Sequence, residues 1–161
     1  MSSAAQPASG ISLHYLQIPY MANNLSIIRI KASRQRVWET LTRPALVKRW
    51  QYGSDLTCNW EPGSDIRFRA EWEGKVFEQW GKVLEYRAPE LIRYSLFAPR
   101  PGLEDRPENY FVMSYRLTEE EDGTTLEISQ EDNRPGAVQE APQGEDNPVL
   151  QALKQVAEAH A

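Results

Sequence analysis

The stretches GKVLEYRAPELIRYSLF, residues 81–97, and NYFVMSYRLTEEEDGTTLEISQ, residues 109–130, decide the fold of this chain. Apolar and polar residues alternate in both, which predicts β-strands with one buried face. The segment around Pro89 turns the chain between two of these strands, and Asp122-Gly123 closes a hairpin between the last two. We therefore expect consecutive strands of one antiparallel sheet, whose inner face forms the floor of a cavity.

The residues before this stretch add one strand, two short helices and two more strands. Residues 25–32 alternate as a half-buried strand, and Ser33 then stands where a helix N-cap belongs. Pro44 disfavours continuation of that first helix and starts a second one. The segments 55–60 and 65–72 again have the two-residue period of strands.

The chain ends in an amphipathic segment. Asn147-Pro148 is a typical helix start, and an apolar stripe from Val149 to Ala157 predicts a helix of roughly 14 residues. The order of elements indicates an α+β fold, with a curved seven-stranded antiparallel sheet, two short helices after the first strand and a C-terminal helix over the sheet. One helix cannot fill such a curved sheet, so a cavity between the two is expected.

The domain organisation is predicted to be simple. Residues 1–24 form an N-terminal extension, expected to be flexible because its first ten residues are small and polar, and residues 25–161 form one domain. Ile11, Leu13 and Tyr15 alternate, so this part of the extension can pair with a sheet edge or cover an apolar patch. A loose tail, or a true start at Met21, is the alternative interpretation.

Composition excludes several classes of partner. The net charge is −5 and there is no basic run, which argues against nucleic acid or anionic lipid as the main partner. No apolar run approaches the roughly 18 residues of a membrane span. Cys58 is the single cysteine, and the first basic residue is Arg29, so neither a disulfide framework nor a secretory signal is predicted. We expect a cytoplasmic protein.

The sequence contains no evident catalytic or metal-binding constellation. His14 and His160 are the only histidines and Cys58 stands alone, so neither a metal centre, a nucleophilic triad nor any cofactor is predicted. Acid–base chemistry would fall to Glu78, Glu85, Tyr94 or Tyr115. Alternation places the two tyrosines inward and Glu78 outward. We favour tyrosines in a cavity wall and glutamates in water over a catalytic role.

The inner faces of the predicted strands and the last helix supply the candidate ligand-binding residues. Their aromatic side chains can stack on a flat or lipid-like ligand, or they can form a filled core. The candidates are Trp60, Phe68, Trp72, Phe77, Val83, Ile92, Tyr94, Phe111, Met113, Tyr115 and Leu153.

Four blocks of the chain carry a family resemblance. They are VWETLTRPALVKRW (37–50), PGSDIRF (62–68), GKVLEYRAPELIRYS (81–95) and YRLTEEEDGTTLEIS (115–129). Residues 25–131 resemble the activator-of-Hsp90-ATPase-homologue type of domain, within the START, birch-pollen-allergen and polyketide-cyclase (SRPBCC) superfamily. The residues that carry the likeness mark turns, close backbone approach and core packing, so they predict the fold rather than the chemistry.

The resemblance implies a helix-grip fold, with a tunnel between the sheet and a long C-terminal helix. The family's final helix is commonly longer, often with a Trp near its start, whereas this chain has no Trp beyond Trp80. A shorter helix predicts a more open cavity.

Three functions are compatible with these features. The first is a carrier or sensor that binds a hydrophobic or aromatic small molecule without chemistry. The second is a polyketide-cyclase-like enzyme that uses Tyr94, Tyr115 or Glu78. The third is a co-chaperone that activates an Hsp90-type ATPase. The branch that gives the family its name has an additional N-terminal domain, which we do not expect here, so the name alone carries little weight.

Overall fold

The computed structural model describes residues 21–159. The predictions for residues 1–20, including the alternation around Leu13 and the role of His14, lie outside the described residues, as does His160. The strands are β1 (Ala22–Ile30), β2 (Asp55–Cys58), β3 (Asp65–Trp72), β4 (Lys75–Arg87), β5 (Leu91–Leu96), β6 (Phe111–Glu120) and β7 (Gly123–Asp132). The α-helices are α1 (Arg34–Thr42), α2 (Pro44–Trp50) and α3 (Pro148–Glu158).

The predicted α+β, helix-grip fold is confirmed. The seven strands form one antiparallel sheet in the order β1-β7-β6-β5-β4-β3-β2. Within residues 21–159, only the pairing of β1 with β7 joins strands that are distant in sequence. This pairing starts with Ala22 opposite Asp132, so β1 begins at Ala22 rather than at residue 25. It brings the start of the described chain next to the end of β7.

The helices begin where the sequence predicts. Ser33 Oγ accepts a hydrogen bond from the backbone N–H of Arg36 at the start of α1. Pro44 occupies the first turn of α2. Asn147 Oδ1 accepts hydrogen bonds from the backbone N–H groups of Val149 and Leu150 at the start of α3. Helix α3 has 11 residues, somewhat fewer than the roughly 14 predicted from its apolar stripe.

An irregularity in β4 changes which side chains face inward. Val83 lies opposite Tyr94, whereas Tyr86 lies opposite Ile92, because the register shifts between Val83 and Glu85. Such a β-bulge inserts one extra residue and reverses the alternation beyond it. Tyr86 therefore faces the helices, and Glu85 faces away from them.

One part of the space between sheet and helices is a filled core. The indole Nε1 of Trp38 donates to the hydroxyl of Tyr86 at 3.1 Å, and the ring of Trp60 stacks on Tyr86 with centroids 5.8 Å apart. From α3, Leu153 is fully buried in the same core. The helices therefore fill this part of the concave sheet, and unfilled space remains next to the start of α3.

Candidate functional site

An open groove of about 490 Å³ lies between the inner face of the sheet, the turn after α2 and the start of α3. We call it the apolar groove. Its volume falls within the roughly 300–1,000 Å³ that is typical of small-molecule sites. The lining residues are Ser26, Trp50, Gln51, Tyr52, Ser54, Phe68, Ala70, Phe77, Gln79, Tyr94, Leu96, Phe111, Met113, Tyr115, Ile128, Gln130, Asn147, Val149 and Leu150.

The described lining of the apolar groove contains no Asp, Glu, Lys, Arg or His. Its floor consists of aromatic and aliphatic side chains from β3 to β7, and its polar groups are hydroxyls and side-chain amides. A charged ligand group placed on this floor would lose hydration without gaining a countercharge from the lining. The groove is therefore suited to an uncharged, largely apolar molecule.

A hydrogen-bonded pair of tyrosines lies in the floor. The hydroxyl oxygens of Tyr94 and Tyr115 are 2.5 Å apart, and the two rings meet edge to face with centroids 5.6 Å apart. Phe68 packs on Tyr94 with ring centroids 6.0 Å apart. Tyr94 is 2% and Tyr115 is 4% exposed, so the surrounding packing restricts the movement of both rings.

Burial keeps both hydroxyls protonated. Desolvation raises the pKa of Tyr115 to about 12. Desolvation, together with its proximity to Tyr115, raises the pKa of Tyr94 well above the ordinary value. Because a buried phenolate would lack a compensating positive charge, each tyrosine is a neutral hydrogen-bond donor at physiological pH. Neither side chain is suited to act as a general base in the unliganded groove.

A second, more polar cavity of about 550 Å³ adjoins the apolar groove, and we call it the polar annex. The loop after β7, from Arg134 to Gln143, forms much of its wall. The residues that line both spaces are Ser26, Met113, Ile128, Gln130 and Asn147. The two spaces therefore lie side by side and share part of their lining.

An ion pair supports the boundary between the two spaces. Arg134 Nε donates to Asp132 Oδ1 at 2.8 Å, and Arg134 Nη2 donates to Asp132 Oδ2 at 2.6 Å. The guanidinium carbon of Arg134 lies 4.4 Å from the ring centroid of Phe111. Arg134 holds the pKa of Asp132 below its ordinary value. This bidentate pairing largely cancels the charge of Arg134 towards a ligand.

Six of the eleven candidate ligand-binding residues contribute to the apolar groove. Phe77 is the most exposed of them, at 54%, because it stands at the open rim of the groove. The six are Phe68, Phe77, Tyr94, Phe111, Met113 and Tyr115.

The other five candidates lie elsewhere, for three different reasons. Trp60 follows the end of β2 and has a positive φ of 63°, so the alternation of that strand does not extend to it. Trp72 is the last residue of β3, next to the turn into β4, and is 68% exposed. Val83, Ile92 and Leu153 are buried in the filled core rather than along the groove.

The candidate carboxylates lie outside the apolar groove. Glu78 Oε2 pairs with Arg67 Nη1 at 2.8 Å on the outer face of the sheet, as the alternation predicts. Glu85 pairs with Arg87 at 2.9 Å, because the bulge in β4 turns it away from the helices. Neither side chain can exchange a proton with a molecule bound in the groove without a rearrangement of β4.

Several lining residues are not in the set predicted from the sequence. Gln130 lies on β7 two residues beyond Ile128, so it shares the inward face of that strand. Tyr52 and Asn147 come from connections between elements, where no periodicity indicates the direction of a side chain. The sequence identifies Asn147 as a helix N-cap, but its position in the groove wall depends on how α3 packs against the sheet.

The described part of the chain shows neither a metal-binding cluster nor a membrane-spanning helix. No group of three or more His, Cys, Asp or Glu residues between positions 21 and 159 is arranged to hold a metal ion. No helix within the same residues is long and apolar enough to cross a bilayer.

Several proteins of known structure are similar to this chain in fold. Among solved structures, a protein from Cytophaga hutchinsonii is 33% identical, covers 73% of this chain and 79% of its own, and has a TM-score of 0.59. A protein from Nitrosomonas europaea is 18% identical over 87% of this chain and 96% of its own, with a TM-score of 0.67. The Aha1 dimer from Colwellia psychrerythraea is 18% identical, covers 85% and 96%, and has a TM-score of 0.60.

A search of curated proteins found no match. The family model described as "Activator of Hsp90 ATPase homolog 1-like protein" matches residues 31–158, which include both helices after β1, strands β2 to β7 and the whole of α3. This match confirms the resemblance found in the sequence. The chain therefore belongs to the Activator of Hsp90 ATPase homolog 1-like family.

Proposed function

We propose that the protein binds a hydrophobic or aromatic small molecule in the apolar groove and acts as a carrier or sensor of that molecule. The observation that carries the proposal is the lining: aromatic and aliphatic side chains surround a concave space of about 490 Å³ without a charged group among them. Family membership supports a ligand-binding fold in general. The chemical identity of the ligand depends on the few polar groups in the floor.

The groove gives such a ligand an apolar surface on several sides. Phe68 and Phe111 lie in its floor, Leu150 contributes from α3, and Tyr52 stands at its rim. Burial of apolar ligand surface stabilises a complex by about 25 cal/mol per Å², before the costs of association are subtracted. Side chains at the rim cover the outer side of a bound molecule only partly, because Phe77 and Tyr52 remain exposed.

The experiment is a binding screen with a variant that fills the groove. Native mass spectrometry of the protein purified from its own host would identify a retained ligand, and thermal-shift screening of lipids and aromatic metabolites would identify others.

Ala70→Trp places an indole in the groove, because Ala70 lines it from β3. Glu71→Trp is the matched control, since the next residue of the same strand faces outward and is exposed. We expect Ala70→Trp to abolish binding and Glu71→Trp to retain it. Equal binding by both variants would contradict the proposal.

The cyclase-like alternative has less support. It requires an acid–base group in the groove, and the described lining offers only hydroxyls and amides. The raised pKa values of Tyr94 and Tyr115 favour hydrogen-bond donation over proton abstraction. An enzyme of this kind would use the tyrosine pair to polarise a carbonyl group of its substrate. Turnover of a bound polyketide-like ketone, lost in Tyr94→Phe, would establish this alternative.

A co-chaperone role is the third candidate function, and the family match is the observation that favours it. The test is the ATPase rate of an Hsp90-type chaperone from the same host, measured with and without this protein. A rise in rate with increasing protein concentration is the supporting result. An unchanged rate at saturating concentration would remove this candidate without affecting the ligand-binding proposal.

A further inference from the structure

We infer that the apolar groove selects neutral ligands that carry a hydrogen-bond acceptor oxygen, such as a ketone or amide carbonyl, which the Tyr94–Tyr115 pair binds. This inference rests on the proposed function and deepens it, because it names the class of ligand. Its basis is the number of protons on the two hydroxyls, the packing of the pair and the distribution of charge around it.

The proton count leaves one donor without a protein acceptor. Two tyrosine hydroxyls carry two protons, and only one of these lies in the bond between the oxygens of Tyr94 and Tyr115. No other hydrogen bond to either oxygen is formed by residues 21–159. A buried donor without an acceptor is destabilising, so an acceptor in the groove is favoured. Whichever tyrosine donates to the other, the second proton is free for a ligand.

The packing of the pair determines where that acceptor must lie. Tyr94 on β5 lies opposite Met113, and Tyr115 on β6 lies opposite Ile92, so the two tyrosines are diagonal neighbours across adjacent strands. Their edge-to-face contact fixes the relative orientation of the rings. Both side chains line the groove together with Phe68 and Phe111. An acceptor that reaches the pair therefore comes from a molecule whose apolar part contacts these two rings.

The distribution of charge favours a neutral acceptor over a carboxylate. The described lining of the apolar groove has no cation. Arg134, in the neighbouring polar annex, is already paired through Nε and Nη2 with Asp132. The lining of the annex contains two cationic side chains, Arg100 and Arg134, and two anionic side chains, Asp132 and Glu140, so its formal charges cancel. An anionic ligand would lose its hydration at the tyrosine pair without gaining a countercharge.

The experiment compares three related probes on one protein. 2-Acetylnaphthalene carries a ketone, 2-isopropylnaphthalene has a similar shape without an acceptor, and 2-naphthoate carries a carboxylate. Dissociation constants are measured by calorimetry or by quenching of tryptophan fluorescence. For each protein we take the ratio of the dissociation constant of 2-isopropylnaphthalene to that of 2-acetylnaphthalene. This ratio is then compared between wild type and Tyr94→Phe/Tyr115→Phe. This comparison cancels the different hydrophobicity of the two probes.

We expect the ratio to fall at least tenfold in the double variant, which corresponds to about 1.4 kcal/mol at 25 °C. The double variant removes both polar partners and preserves ring shape, a change that folded proteins tolerate well. Tyr110→Phe is the matched control because Tyr110 bonds to Asp105 and does not line the groove, so its ratio should equal that of wild type. If the double variant does not fold, each single variant is expected to lower the ratio, and an unchanged ratio in both overturns the inference.

The remaining outcomes separate the inference from the proposed function. If ketone and hydrocarbon bind wild type and the ratio is the same in the double variant, the tyrosine pair does not select the ligand, while groove binding stands. If 2-naphthoate binds more tightly than 2-acetylnaphthalene, the preference for a neutral acceptor is wrong. If no probe binds at millimolar concentration, the proposed function fails and the inference fails with it.

Discussion

Gly81→Ala should destabilise the fold because β4 and β5 approach each other too closely at this position for a side chain. A Cβ atom on Gly81 would lie 1.8 Å from the carbonyl oxygen of Ser95 and 2.6 Å from its carbonyl carbon. Both are backbone atoms, so the contact cannot be relieved by rotating a flexible side chain. One strand must therefore move by more than 1 Å to restore an ordinary contact.

The magnitude follows from the hydrogen bonds that hold the two strands together here. Trp80 and Phe97 exchange backbone hydrogen bonds of 3.2 and 2.7 Å immediately beside Gly81. Each such bond contributes about 0.5–1.5 kcal/mol net, so loss of both costs about 1–3 kcal/mol. For a protein of this size, each kcal/mol lowers the melting temperature by about 2–4 °C. We expect a decrease of about 2–12 °C.

The assay is urea unfolding at 25 °C followed by tryptophan fluorescence, with calorimetry for the melting temperature. Gly144→Ala is the matched control, because the nearest atom to its added Cβ is 3.6 Å away, an ordinary contact. We expect the control to remain within about 0.5 kcal/mol of wild type, as is usual for surface substitutions. If Gly81→Ala is as stable as Gly144→Ala, the close approach of β4 and β5 does not exist in solution.

Two further predictions concern the walls of the apolar groove and of the polar annex. Asn147→Ala removes the side-chain cap of α3 and should lower the free energy of unfolding by about 0.5–2 kcal/mol in urea titrations; a loss below about 0.3 kcal/mol would contradict the capping role. Arg134 lowers the pKa of Asp132, so the stabilisation from this carboxylate is present above its ordinary pKa of 3.8 and is lost as pH falls through the lower folded-state value. In wild type the free energy of unfolding should therefore decrease more steeply with falling pH in this range than in Asp132→Asn. Parallel pH profiles would show that the pair contributes nothing.

The sequence predicts the sheet well because each inward face repeats every two residues. Phe68 and Tyr115 lie in the middle of regular strands, where alternation alone determines the direction of a side chain. The prediction loses accuracy where a strand ends or changes register. Trp72 continues the alternation of β3, yet it ends the strand and is exposed, which alternation alone does not indicate. Tyr86 faces inward only because of the bulge in β4, for which the sequence offers no clear signal.

The polar annex could not be predicted from local patterns. Its wall is the loop after β7, which is held against β1 by the hydrogen bonds from Ile27 N–H to the Gln143 carbonyl and from Gln143 N–H to the Leu25 carbonyl. These contacts join residues more than a hundred positions apart, and nothing in the local composition of the loop indicates them. The ion pair between Asp132 and Arg134 is, by contrast, local in sequence, but its place beside Phe111 depends on the tertiary fold.

The most direct test of ligand binding in the apolar groove is a methyl-region NMR titration with 2-acetylnaphthalene. We expect the largest chemical-shift changes at Met113, Ile128 and Leu150, whose side chains line the groove. The methyl groups of Val37 and Leu153, which are fully buried in the filled core away from it, should change little. Shifts confined to Val37 and Leu153, or to the outer face of the sheet, would contradict binding in the groove.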